Sequence, residues 1–541
     1  MRTAITLLCG ACALLAGCSV GPDFQRPVAV LPASWTGDAA AAPVGARAAS
    51  TTASATAAHD ADDAEAPVAS RPVPGPLDVD WWRQFGDPEL SSLIARASAG
   101  NLDVEAAGAR VAAARAARRV TGAEALPALN GSAAYQHARS SQNGLIDVSG
   151  LNGKSDYNLW QPGLDVSWEL DLWGRVRRRI EAADASLQAA EDWRRAVLLS
   201  MLAETAGSYV RLRGVQAQQD IVRRNLDTAR DNARLTRIRL RDGVATQLDL
   251  AEADAQVKTI EARLPPLEHE RARLVNALSL LLGAPPRMLE AELRQAAPLP
   301  PVPPAVPVGL PSELVERRPD IREAEATLHA ATAQIGVAVG DFYPRVTLSA
   351  NLDLQAMHFG DLDSWSSRAF GVGPAISIPL FEGGRLKGQL AVRNAEQQAA
   401  AIGYRRAVLN AWHEVDDAMS AYRTSQQQHD MLAEAVEQNR LALDNARRQY
   451  LAGATDFLNV LTVQQNLLGT QQALAVSRTD VLVSLIGLFK ALGGGWQTTF
   501  PAADARAGAA GMPAAASGAD ANAGRRAGTS LTGGAPAPRA G

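Results

Sequence analysis

Cysteine is the scarcest chemistry in this chain: its 541 residues hold three, Cys9, Cys12 and Cys18, all within the first eighteen positions. The remainder has no thiol, which excludes a disulfide framework. Net charge is small too. Fifty-three basic against 57 acidic residues, with no long basic run, leave no electrostatic footprint for nucleic acid, and the arginines of Arg175-Val176-Arg177-Arg178-Arg179 are basic only locally. The seven histidines form no His-x-x-x-His pair, and no glycine loop leads into Lys and Ser or Thr. No catalytic residue, metal site or cofactor is therefore assigned, and the expectation is that the protein is not an enzyme. Glu414, Asp416 and Asp417 beside His413 read as a solvated helix face.

The N-terminus reads as a secretory signal over residues 1–17, with an apolar run from Ala4 to Leu15 too short to cross a bilayer as a helix. It ends in Leu15-Ala16-Gly17-Cys18, which resembles a bacterial lipobox and predicts acylation of Cys18; a plain signal with an incidental cysteine is the alternative. Ser19 after the cysteine resembles lipoproteins sorted to the outer membrane, where acyl chains hold a protein with about 0.8 kcal/mol per buried methylene. Residues 18–36 follow as the lipidated segment. Residues 37–76 and 498–541 are rich in Ala, Pro and Gly or small polar residues, and read as a disordered linker and tail.

Between these lies a repeat. Asp103, Pro127, Gly174-Arg175 and Gly243 recur as Asp320, Pro344, Gly384-Arg385 and Gly453, 217 residues apart for the first two and 210 for the last two. The first repeat spans 77–306, with strands expected near 128–137 and 159–172 and helices near 174–240 and 246–283. The second spans 307–497, with strands near 345–356 and 369–380 and helices near 384–450 and 456–492.

The strands alternate strictly. In Val346 to Gln355, and in Leu164 to Leu172, apolar residues point one way and polar residues such as Asn351, Asp353, Asp165, Ser167, Glu169 and Asp171 the other. An ordinary soluble sheet would show this too, but each strand is about the 9–11 residues needed to cross a bilayer at a tilt. A sheet in lipid must close on itself, and four strands cannot, so the barrel is shared between subunits. Three copies give twelve strands and room for water.

The helices are too long for a globular domain. From Gly174 to Leu240 there is no proline, and Val176, Ile180, Ala183, Leu187 and Ala190 keep the 4-3 spacing of a coiled-coil seam, as do Val408, Trp412, Val415, Met419 and Tyr422. Each rod reverses at a glycine, Gly243 or Gly453, and Pro265-Pro266 should kink or interrupt the first returning helix. The fold class expected is mainly α with transmembrane β: a long antiparallel coiled-coil α-barrel plus four strands per protomer of a shared twelve-stranded barrel.

Four stretches carry a closer likeness: Cys18-Ser19-Val20-Gly21-Pro22-Asp23-Phe24-Gln25-Arg26-Pro27, Trp81-Trp82-Arg83-Gln84-Phe85-Gly86-Asp87-Pro88-Glu89-Leu90, Arg317-Arg318-Pro319-Asp320-Ile321 and Ala491-Leu492-Gly493-Gly494-Gly495-Trp496. With them the chain resembles the TolC-like outer-membrane efflux channels, in the lipoprotein branch called NodT or OprM-like, over residues 18–36 and 77–497. The resemblance implies a homotrimer in outer-membrane lipid, a passive exit duct for drugs or toxic compounds. It also implies an inner-membrane pump, of the resistance–nodulation–division (RND) type, joined through a periplasmic adaptor that docks at the helix tips, here Gly243 and Gly453. Carried over by position, Leu458 is the constricting residue of the periplasmic aperture and Asp249 the polar latch. Relatives place aspartates where this chain has Asn459 and Thr462, so an acidic cation-binding ring is not carried over; Asp456 either substitutes for it or caps the new helix, and for Asp249 capping is likewise the alternative to the latch role. A lipid-anchored coiled-coil scaffold and a duct for polypeptide secretion are the alternative functions.

Overall fold

Two helices of 67 residues each, Arg175–Arg241 and Arg385–Leu451, dominate the computed structural model, which describes residues 20–28, 70–141 and 156–500. Each is roughly 100 Å long at 1.5 Å per residue. The signal, Cys18 and nearly all of the C-terminal tail lie outside the described residues.

In chain order the elements are β1 (Arg71–Val73), α1 (Pro88–Gly100), α2 (Leu102–Ala123), β2 (Ala128–Arg139), β3 (Asp156–Leu170), α3 (Arg175–Arg241), α4 (Gln247–Glu261), α5 (Leu264–Leu281), β4 (Ala305–Pro307), α6 (Leu314–Arg317), α7 (Pro319–Gly340), β5 (Arg345–Leu354), β6 (Arg368–Ser377), α8 (Arg385–Leu451) and α9 (Phe457–Ala491). Each repeat thus runs helix, two strands, rod and return. β2, β3, β5 and β6 form one antiparallel sheet in that order.

The interruption expected at Pro265-Pro266 is observed: the first return is two helices, because these prolines lack N–H groups and sit in the first turn of α5, where none is needed. The structure corrects three other expectations. The strand expected to reach 172 stops at Leu170: Asp171 turns to accept hydrogen bonds from the backbone N–H groups of Val176 (3.0 Å) and Arg177 (2.8 Å), capping α3. The strand expected to reach 380 stops at Ser377, ahead of Pro379, which cannot extend a ladder. Finally, the end of the 37–76 linker is structured, since β1 pairs in parallel with β4 and Ser70 donates to the Pro303 carbonyl at 2.5 Å.

Beyond α7 from the sheet, three of the four sequence words converge on one knot. Trp81 is fully buried, stacks on Phe489 with centroids 5.1 Å apart, and donates to the Gly494 carbonyl at 3.1 Å. Trp496 donates to the Arg317 carbonyl at 3.2 Å, and Arg318 to that of Ala491 at 2.9 Å. Arg318 also holds Asp320 and Glu414, each at 2.7 Å, so Glu414 is a partner rather than a merely solvated acid. The first word lies across α7. Phe24 stacks on His329 at 4.4 Å, Arg26 holds Glu325 at 3.0 Å, and Asp23 pairs with Arg178. All four arginines from Arg175 to Arg179 have carboxylate partners, Glu169, Asp171, Asp23 with Glu181, and Glu124, so that run is neutralised.

Glu323 lies in the same region. Burial raises its pKa, with Asp320 and Asp192 adding repulsion. A carboxyl whose folded pKa is raised stabilises the fold while protonated, and that contribution is lost as pH climbs through the raised value. Glu323→Gln is expected to raise the melting temperature at pH 7.5 and to leave it unchanged below the ordinary value of 4.5; melting curves at the two pH values check the sign.

Candidate functional site

The sheet presents two faces, and its register aligns each across all four strands. One row reads Leu129, Val166, Ala350, Val372; the adjacent row on the other face reads Asn130, Asp165, Asn351, Gly371. Among the described residues no helix packs across either face. Val372 is 78% and Phe370 75% exposed. A bare apolar face of this size is costly in water and favourable in hydrocarbon. On the polar face Asn130 donates to Asp165 at 3.0 Å and Asn351 to Asp353 at 2.6 Å. Glu169, expected on that face, is drawn to the rim by Arg175 (2.6 Å), and Asp171 leaves it to cap α3.

The opposite end of the rods is built twice in the same way. Gly243 and Gly453 take φ of 75° and 74°, where a side chain is strained, and the next residues, Val244 and Ala454, bond back to the carbonyls of Arg239 and Gln449, each at 2.9 Å. The helix that follows is capped at equivalent positions, Thr246 and Asp456. Asp249 closes a capping box, accepting from Thr246 N–H at 2.7 Å while Thr246 Oγ1 accepts from Asp249 N–H at 3.2 Å. Asp456 accepts from the N–H of Asn459 at 3.0 Å, Asn459 donates to Thr455 at 3.2 Å, and Thr462 bonds back to the Leu458 carbonyl at 2.9 Å. Both carboxylates are thus engaged at helix starts.

Leu458 differs from its neighbour. Phe457 is buried against Tyr450, with centroids 5.4 Å apart, whereas Leu458 is 54% exposed. Its counterpart 210 residues earlier, Leu248, is also bare, a residue the sequence reading passed over although the repeat offset points to it. Behind the tip, amides join the coils at heptad spacing. Asn232 donates to Gln464 (2.9 Å) and Gln465 to Gln256 (2.6 Å); seven residues on, Asn225 donates to Gln471 (3.1 Å) and Arg263 to Gln472 (2.7 Å). In sequence these residues look only like interruptions of an apolar seam. α9 is apolar enough to pass as a membrane span, but it is packed against α3 and α8.

A sheet that suits lipid on one side and water on the other, continued by rods far longer than a bilayer is thick, defines a trans-envelope channel subunit. The family model for outer membrane efflux proteins matches residues 93–284 and 310–494, and the chain belongs to that family. It is 35% identical to the pyoverdine export outer membrane protein OpmQ of Pseudomonas aeruginosa over 77% of this chain and 88% of that protein. The probable efflux pump outer membrane protein TtgC of Pseudomonas putida is 32% identical over 89% and 94%. The solved outer-membrane channel OprN superposes with a TM-score of 0.77 at 33% identity, covering 89% of this chain and all of that one. The fold is accordingly the α-barrel plus β-barrel trimer of TolC-like channels. The protein is an outer-membrane component of an efflux system that reaches into the periplasm, and the scaffold reading falls away.

Proposed function

We propose that three copies, each anchored by lipid at Cys18, form a passive exit duct for small organic compounds and perform no chemistry on them. A proton-driven pump of the RND type supplies the energy through a periplasmic adaptor that docks at the Gly243 and Gly453 tips. The periplasmic aperture is closed by Leu458, with Asp249, Asp456, Asn459 and Thr462 around it. The observation that carries the gate is the contrast at the start of α9, where Phe457 is buried and Leu458 stands bare. Because Asp249 and Asp456 are committed as caps, the constriction is apolar rather than an acidic ring, and splaying of the helix pairs opens it. The polar face of the sheet, with Asp165 and Asp353, gives the lumen a mild cation preference.

Leu458→Ala in all subunits is expected to raise single-channel conductance in planar bilayers by roughly twofold or more, as removal of a hydrophobic constriction should. Unchanged conductance refutes the gate assignment. A purified trimer that passes no current under any condition refutes the duct.

A further inference from the structure

At the sheet end of the rods α3 packs on both α2 and α7, and α7 on α8, so the four helices stand in the order α2, α3, α7, α8 with α2 and α8 as edges. Both edges are bare. α8 exposes Gly388, Val392, Ala395, Ala399 and Ile402 at 4-3 spacing, and α2 exposes Ala109, Ala112, Ala116 and Arg119 at 3-4 spacing. α2 leads into the sheet and α8 out of it, as α7 and α3 do, so the α8 edge of one copy can meet the α2 edge of the next in the way that α3 meets α7 inside the chain.

That inner joint is a template for the outer one. In it the stem of Arg178 fills a notch left by Gly336, its Cγ 2.8 Å from where a Cβ would stand. By the repeat offsets the counterparts of Arg178 and Gly336 are Gly388 and Arg119, so the arginine and the glycine have changed sides. Nothing lies within 4 Å of a Cβ placed on Gly388, and the Arg119 guanidinium has neither ion pair nor hydrogen bond among the described residues. The clasp of His329 on Glu181, 2.9 Å long in the inner joint, has Ala112 and Ala391 as counterparts, which let two helices approach closely with one long side chain to seat. We propose that α8 packs antiparallel on α2 of the partner subunit, that the partner's Arg119 lies in the notch at Gly388 with its stem covered and its charge in water, and that Ala395, one heptad on, stands opposite Ala112. The pairing rests on the trimer and not on conduction.

The test uses the full-length chain, whose native thiols all lie at or before Cys18, and reads trimers on gels. Oxidation of Ala112→Cys with Ala395→Cys is expected to give covalent trimers, and that of Ala112→Cys with Ile402→Cys, a heptad out of register and roughly 10 Å away, to give none. Gly388→Arg is expected to lower the yield of heat-modifiable trimers about tenfold, as an overpacked contact does, and Gly388→Arg with Arg119→Gly to restore it by copying the Arg178 and Gly336 arrangement. That restoration separates a clash at the joint from a chain that fails to fold. Equal cross-linking in both registers, a normal yield from Gly388→Arg, or a double variant no better than the single one overturns the proposal. Trimers that form with neither cross-link leave the two faces to another partner and overturn it too. An unmodified chain that forms no trimer refutes the duct instead, so the two failures are distinct.

Discussion

Val372→Arg is expected to abolish the outer-membrane trimer, while Ser349→Arg, next to it in the ladder, leaves the trimer intact. Val372 is paired with Ala350 in the middle of β6, on the face that carries Leu129 and Val166. Ser349 is paired with Ser167 and Gly373 on the other face. An arginine facing lipid near the bilayer midplane costs about 2–4 kcal/mol, and a trimer incurs it three times, enough to outweigh the marginal stability of a barrel. On the other face Gly373 leaves space for a long side chain in water. There the extra positive charge should lower cation current without lowering the yield of trimers. Heat-modifiable migration of outer-membrane extracts gives the yield, and planar bilayers give the current. Equal yields from the two variants would mean that the sheet does not stand between lipid and water.

Those faces were legible in the sequence because a strand has a period of two, so strict alternation from Val346 to Gln355 dictates which side chains share a face whatever the neighbours are. The rods were legible for a similar reason: without proline nothing ends a helix, and the glycines at 243 and 453 end both. Strand ends were less so. Asp171 continues the alternation on paper, but its carboxylate satisfies N–H groups of the following helix, a contact that only three-dimensional proximity reveals. The pairing of β1 with β4 was hidden by composition, since proline-rich stretches read as linkers and the partner lies more than 200 residues away. At the tips the sequence supplied Asp249 and Asp456 but left their roles open between latch and cap; the observed hydrogen bonds are those of caps. The amide rungs at Gln464 and Gln471 were invisible because a glutamine in a seam has no preferred partner until the facing helix is placed.

The buried charge at the knot carries the largest stability effect. Asp192 has no exposed surface; one of its oxygens accepts from Arg195, on the same helix, and from Arg322, on α7, at 3.0 Å from the latter. Both guanidiniums flank the Trp496 ring, with their centres 5.1 and 5.7 Å from its centroid. The carboxylate thus stitches α3 of the first repeat to the start of α7 of the second and to the segment after α9. Asp192→Ala removes the buried carboxylate that pairs with both arginines, and breaking a buried pair in this way costs about 3–5 kcal/mol. Replacing a cation is milder: Arg322→Ala leaves Asp192 with Arg195, and Arg322 is the more exposed of the two cations, so a loss of about 1–2 kcal/mol is expected for one charge-assisted bond. The temperature at which purified trimers dissociate should therefore fall much further for Asp192→Ala than for Arg322→Ala. If the two variants dissociate together, Asp192 is not the stitch between repeats, and the knot is held by the tryptophan packing and the Arg318 contacts alone.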